Sequence, residues 1–300
     1  MRKTILFIVL CTIIITSGQA SAEEQKAKSM DELSKEMANP LAQIWNLSFQ
    51  SNFTTLSGDS LDGHERINTT LFQPVLPVPL GDTWTAFARP VITYVTAPTK
   101  GHLVGGTPSN PIITGDDKKS DLGDLILPMG VGIAKKTGWS WGGGFTFIFP
   151  TSQHDLLASH QYQAGPTALL LWANDNWMIG GHIQHWWGIA DDSDNSTAAE
   201  VAHTQNLNHT DLQYFIIRHL PNAWQLRASP HVKADWERDF SNRWTVPIAL
   251  GIGKMIKIGP MPVMLMAEYQ HNLIAPDGVG EDYTIMLQAN FIIKNPFGSM

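Results

Sequence analysis

Ionisable and amide side chains recur at every second position along several stretches of this sequence. Arg227, His231, Lys233 and Asp235 share one parity, and Glu268 and Gln270 share another. Arg89, Asp124, Gln163, Gln184 and Gln213 occupy the polar parity of their own segments. Such a set could line a watery passage, pair internally to stiffen an interior, or help the histidines to hold a metal. The 11 histidines do not favour a metal. His182 and His185 are three apart, and on an extended strand that spacing points them to opposite faces, so they cannot share an ion. His102, His154, His160, His203 and His209 fall in or near connections without ligand spacing. The run Asp191-Asp192-Ser193-Asp194-Asn195 lacks the glycine and distal glutamate of a calcium loop and reads as solvated chain. A lipid-facing hydrolase would need a serine beside an outward histidine. His185 and His271 are outward by parity, but no serine lies on a plausible neighbouring strand. Neither a catalytic residue nor a metal or cofactor is therefore expected. Asn46, Asn52, Asn68, Asn195 and Asn208 each head an Asn-x-Ser/Thr triplet, but most fall on polar strand faces or in a loop.

The elements that position this set follow from the rest of the chain. Met1-Arg2-Lys3, an apolar run to Ile15, and Ala20-Ser21-Ala22 before Glu23 read as a cleaved secretory signal over 1–22. Removing Arg2 and Lys3 takes the formal net charge from −7 to −9, and removing Cys11 takes the only thiol. That excludes a disulfide scaffold, a thiolate metal site and a cysteine nucleophile. A net-acidic chain with scattered cations offers no basic stripe for nucleic acid. After Glu23 no apolar run approaches the roughly 18 residues of a membrane helix.

The dominant period is two. Trp45, Leu47, Phe49 and Phe53 alternate with Asn46, Ser48, Gln50 and Asn52. Trp139, Trp141, Phe145 and Phe147 alternate with Ser140, Gly142, Gly144 and Thr146. Alternation of this kind makes a strand with one apolar and one polar face. Twelve candidate strands follow, at 44–54, 66–79, 84–96, 122–134, 139–150, 162–173, 177–190, 207–220, 224–236, 243–254, 262–274 and 283–293. Most reach the roughly 9–11 residues that a tilted strand needs to cross a bilayer, longer than the five or six common in globular sheets.

Connections alternate long and short. The longest is 97–120, whereas 80–83, 135–138, 174–176, 221–223 and 255–261 are brief. Trp84, Trp139, Trp172, Trp177 and Trp224 flank the short turns, with Trp45 near the first strand's start, and Trp187, Trp236, Trp244 and Tyr283 flank the long loops. Short periplasmic turns, long extracellular loops and two aromatic belts are the pattern of an outer-membrane barrel. The fold class expected is all-β: a transmembrane, antiparallel, up-and-down barrel of about twelve strands over 44–300. A periplasmic N-terminal segment, 23–43, carries a short helix capped by Ser29 or Asp31, which either lies at the rim or enters the barrel.

Several motifs resemble one family. Leu122-Gly123-Asp124-Leu125-Ile126-Leu127-Pro128, Ala164-Gly165-Pro166, Gln73-Pro74-Val75-Leu76-Pro77, Asp235-Trp236-Glu237, Trp244-Thr245-Val246-Pro247 and Ala275-Pro276-Asp277-Gly278 run in order along the mature chain. They are similar to the outer-membrane transporter family named for the MetA pathway of phenol degradation. Tyr214 departs from it, standing where that family has proline after glutamine, and so does the tail after Asn295, which does not end on an aromatic. The resemblance implies an outer-membrane barrel with a transport function and assigns no catalytic residue.

The expected function is passive passage of small solutes, leaning toward hydrophobic or aromatic ones because Phe87, Phe215, Met264 and Met266 share the inward parity. The alternative is a closed barrel whose loops bind a ligand or partner; an enzyme acting on lipid stands third. Mixed signs on the inward set predict no steep charge preference. The partners expected are the lipid bilayer with its lipopolysaccharide, the barrel-assembly machinery and a small solute.

Overall fold

The computed structural model describes residues 28–59, 61, 63–98, 103–107, 110–113, 118–152, 159, 161–191 and 207–296. The signal segment with Cys11, the loop histidines 102, 154, 160 and 203, the acidic run after Asp191 and the tail after Pro296 lie outside these residues.

Among the described residues the chain forms eighteen strands, one α-helix and a short 3-10 turn at Phe240–Asn242. Helix α1 is Met30–Ala38. The strands are β1 (Trp45–Ser57), β2 (Glu65–Val75), β3 (Val78–Leu80), β4 (Trp84–Ala88), β5 (Ile92–Pro98), β6 (Leu103–Thr107), β7 (Asn110–Ile113), β8 (Lys118–Leu122) and β9 (Leu125–Ile133). They continue as β10 (Gly138–Phe149), β11 (Gln161–Ala173), β12 (Trp177–Asp191), β13 (Asn208–Leu220), β14 (Trp224–Ala228), β15 (His231–Asp235), β16 (Trp244–Ile258), β17 (Met261–Ile274) and β18 (Gly280–Ile293). Sixteen of them form one antiparallel sheet, and β6 pairs with β7 apart from it.

The sheet closes on itself. β1 pairs with β2 on one side and with β18 on the other, from Trp45↔Ile293 to Ser57↔Gly280. The expectation of twelve unbroken strands needs correction: four of the crossings are split in two. Breaks fall at Leu76-Pro77, Arg89-Pro90, Gly123-Asp124 and Ser229-Pro230. Three of the four contain proline, which has no N–H to give to a ladder. Across the second and third breaks a single bridge, Val91↔Ile126, keeps the neighbouring crossings joined. With each split pair counted as one crossing, the ring is traversed twelve times. Closure leaves no open edge, as hydrocarbon demands of a spanning sheet.

Two boundaries also differ. The connection expected at 255–261 is a tight turn, because β16 continues to Ile258 and Gly259 takes a φ of +59°. The long connection at 97–120 contains the β6–β7 hairpin and all but the last two residues of β8.

The two faces are sorted as the period requires. Phe49, Trp141, Phe145, Leu170, Ile252 and Leu287 are among the exposed outward side chains, while Ser140, Thr146, Gln163 and Thr167 are buried inside. At the short-turn end Trp84 meets Trp141 edge-on at 5.4 Å, and cations cap two rings: Arg218 over Trp177 at 5.0 Å and Lys254 over Trp224 at 4.8 Å. At the long-loop end Trp236 meets Trp244 at 5.6 Å and lies under Arg243 at 5.2 Å. An aromatic ring topped by a cation suits the headgroup level, where one end is apolar and the other wet. Trp45 is a correction: it is buried, and its indole donates to the Pro77 carbonyl at 2.8 Å.

Candidate functional site in the barrel lumen

Helix α1 enters the barrel. Its start is a complete capping box: Glu32 N–H donates to Ser29 Oγ, and Ser29 N–H donates to the Glu32 carboxylate at 2.8 Å. That backbone hydrogen bond, followed by the Ser29 hydroxyl, holds the Glu32 carboxyl below its ordinary value. One face of the helix is apolar. Met30, Leu33 and Met37 pack on Ala223, Met255, Met264 and Met266. Just past the helix, Leu41 is buried with Leu169, Leu171, Met178, Phe215 and Ile217.

The seat for Leu41 is made by glycines. Gly132 and Gly142 face each other in the β9–β10 register, and a Cβ on either would stand 2.8 Å or 3.4 Å from a Leu41 methyl. Polar contacts fix the helix axially. Gln225 Nε2 donates to the Ser34 carbonyl at 2.9 Å and its hydroxyl at 3.0 Å, and Ala223 N–H donates to Asp31 Oδ1 at 2.6 Å. Ala223, with φ of +58°, belongs to the short turn between β13 and β14, so the helix closes the short-turn end of the barrel.

Beyond this plug lies a cavity of about 300 Å³, with Glu36 to Pro40 and Ala42 contributing to its floor. One wall is uncharged. Asn46, Ser48, Gln50 and Asn52 on β1 stand beside Gln73 on β2 and Gln288 on β18. Gln50 donates to Asn52 at 3.0 Å, and Gln288 donates to Ser48 at 2.8 Å and to Asn290 at 3.1 Å. Other parts of the interior carry charged groups. Lys233 meets Glu281 at 2.7 Å, His231 Nδ1 meets Asp211 at 2.7 Å, and Arg227 meets Glu268 at 3.7 Å. Glu268 also accepts from Ser229 N–H and from the Ser229 hydroxyl, so its burial is compensated on several sides.

The inward set read from parity divides in three. Arg89, Gln184, Gln213, Arg227, His231, Lys233 and Gln270 line the cavity. Gln163 and Glu268 are buried in the interior but outside that lining: Gln163 Oε1 pairs with His209 Nε2 at 2.7 Å. Asp124 and Asp235 belong to the long-loop end. Asp124 accepts from Ser159 N–H at 2.8 Å and from Ser152 N–H, and so anchors a loop. Asp235 pairs with Arg238 at 3.1 Å. Of the apolar inward residues, Phe215, Met264 and Met266 line the cavity, and Phe87 packs behind the plug.

Several lining residues were not singled out by sequence. Asp211 shares its parity with Gln213 and could have been found from it. Glu281 precedes the last alternating segment at 283–293, and Trp186 stands between two outward-looking neighbours. Outside the barrel, His185 Nδ1 bonds the Thr210 hydroxyl at 2.7 Å and its ring meets Trp187. His271 Nδ1 faces Asp282 at 3.7 Å.

No family model matches the sequence, and no curated protein matches it. Solved structures do. An outer membrane channel from Pseudomonas putida F1 superposes with a TM-score of 0.59 at 12% identity, covering 83% of this chain and 94% of that one. The chain has the fold of an outer-membrane β-barrel. The NanC porin (TM-score 0.47, 12% identity, 83% and 99% covered) and the CymD monoaromatic hydrocarbon channel (0.39, 11%, 92% and 94%) are more distant. Identities this low bear on the fold alone.

Proposed function

We propose that this barrel is an outer-membrane channel that passes small solutes through its lumen, with α1 as the plug at the periplasmic end. The observation that carries the reading is the cavity itself. A barrel that only had to fill its interior would pack it with side chains, whereas this one keeps about 300 Å³ lined by amides and charged groups. Apolar Phe215, Met264 and Met266 beside those groups favour solutes that carry some apolar surface. The motif similarity to the phenol-degradation transporter family supports transport and names no solute. No chemical step is assigned to the barrel. Its partners are then the bilayer with lipopolysaccharide, the assembly machinery during biogenesis, and the solute.

The test is single-channel conductance and liposome swelling with the purified mature chain, with and without residues 23–43. The plugged barrel should conduct poorly and the unplugged one well. A second reading, a closed barrel that binds partners by its loops, draws support from how thoroughly α1 fills the short-turn end. It predicts no conductance from either form, and that result would overturn the channel.

A further inference from the structure

We propose that Arg89 is a binding subsite within the lumen, anchoring the carboxylate of a small monoanionic solute that has an apolar body. This rests on the channel reading above and deepens it. The other two Arg and Lys side chains lining the cavity already have their counter-charge: Lys233 is held by Glu281 at 2.7 Å and Arg227 by Glu268 at 3.7 Å. Arg89 has none. No carboxylate lies within 4.0 Å of it among the described residues, its side chain makes no hydrogen bond there, and its Nε is buried without a partner. Only its backbone is engaged, N–H to the Pro128 carbonyl at 3.0 Å.

A guanidinium left this way in a confined space is costly unless something polar completes it. Its planar fork of N–H donors matches a carboxylate in bidentate fashion. Asp211 does not fill the role: it makes no ion pair with Arg89 and is hydrogen-bonded to His231 at 2.7 Å. Nor does Glu36 at the cavity floor, which Lys28 and Lys136 hold at 2.6 and 3.5 Å. The lumen as a whole carries mixed signs, so recognition is local rather than a field effect. One unsatisfied cation suits a monoanion; a phosphate dianion would call for more.

The surroundings define the remainder of the solute. Arg89 interrupts its crossing beside Pro90, and its inward neighbours two residues away are Phe87 and Val91, with Ile126 bridged to Val91. Val91 and Ile126 line the cavity with it. A charged head on Arg89 would thus place an apolar body along an apolar wall, as a single-ring aromatic acid or a short branched acid would.

The experiment compares benzoate with its neutral counterpart benzamide. Calorimetric binding to the full mature barrel in detergent is measured for the natural chain, Arg89→Gln and Arg89→Lys, alongside liposome swelling with both solutes. Benzoate should bind the natural chain at least about tenfold more tightly than benzamide, as a charge-assisted bidentate contact implies. Arg89→Gln should erase that preference without changing benzamide, and Arg89→Lys should keep part of it. Should Arg89→Gln fail to fold, shown by loss of the mobility shift on heating, the benzoate-to-benzamide ratio of the natural chain and of Arg89→Lys decides. No preference in the natural chain, or a preference that survives Arg89→Gln, overturns the subsite. Binding preference without swelling by either solute, in the full barrel and in the barrel lacking 23–43 alike, leaves the subsite standing and sinks the channel; equal swelling of the unplugged form without Arg89-dependent binding does the reverse.

Discussion

Replacing Leu41 by alanine should unseat the plug. The Leu41 side chain is 1% exposed and sits on the flat patch made by Gly132 and Gly142, packed against Leu169, Leu171 and Phe215. Truncating a leucine so enclosed costs about 2–5 kcal/mol, because the transfer term is lost and the cavity left behind collapses only partly. In the undocked state the same side chain stands in a wet lumen and loses little by truncation. Nearly the whole cost therefore falls on docking. At 1.4 kcal/mol per tenfold, the undocked population should rise about 30-fold at the lower limit and a few thousandfold at the upper. Planar-bilayer recordings should register this as a higher open probability, and a soluble protease should cut within 30–43 faster by a similar factor. The reasoning is refuted if Leu41→Ala leaves both conductance and cleavage unchanged and removal of 23–43 leaves conductance unchanged as well.

Three further outcomes follow from the same geometry. Leu250, 70% exposed at the middle of β16, faces lipid, so Leu250→Arg should lower barrel stability in bilayers by about 2–4 kcal/mol, whereas Gln270→Arg in the lumen should cost little; urea unfolding in liposomes compares them. Glu268→Leu should destabilise by about 3–5 kcal/mol, since it strips the counter-charge from Arg227 and the acceptor from Ser229, and the temperature of the mobility shift on heating should fall accordingly. Because Glu32 has a lowered folded-state value, its stabilisation of the helix start is fully present above the ordinary carboxylate range and is lost as pH falls through that lowered value. Protease cleavage within 30–43 should accelerate on acidification, and Glu32→Gln should flatten the profile.

How much of this was legible in the sequence depends on the range of the interaction. Strands such as β10 and β18 read directly, because Trp139, Trp141 and Phe145 against Ser140 and Thr146 is a purely local alternation. The helix was legible too, through Ser29 and Glu32. Its location was not: an amphipathic face says that Leu33 and Met37 must be covered, but not that Met255 and Met264 cover them. The four breaks were written in Pro77, Pro90, Pro230 and Gly123-Asp124, and were passed over because the alternation on either side continues across each one. Parity placed Lys233 and Arg227 in the interior, yet their partners Glu281 and Glu268 lie three and two strands away in the sheet, and only the register of the intervening ladders brings them level. Asp124 and Asp235 had the right parity at the wrong height, since period two carries no information about depth. The empty guanidinium of Arg89 was invisible for the same reason, as a missing partner is a fact about three dimensions.

The account stands most directly on which side of the wall meets lipid and which meets water. Tyr269 and Gln270 are consecutive on β17, one exposed outward and the other lining the lumen. Cys11 is the only cysteine of the sequence, so in a Cys11→Ser background single cysteines at these two positions in reconstituted liposomes can be probed without interference. A water-soluble thiol reagent should modify Gln270→Cys and spare Tyr269→Cys, while brominated lipid should quench a fluorophore at 269 and leave one at 270 bright. Equal behaviour at both positions, or the opposite assignment, would contradict the barrel as described.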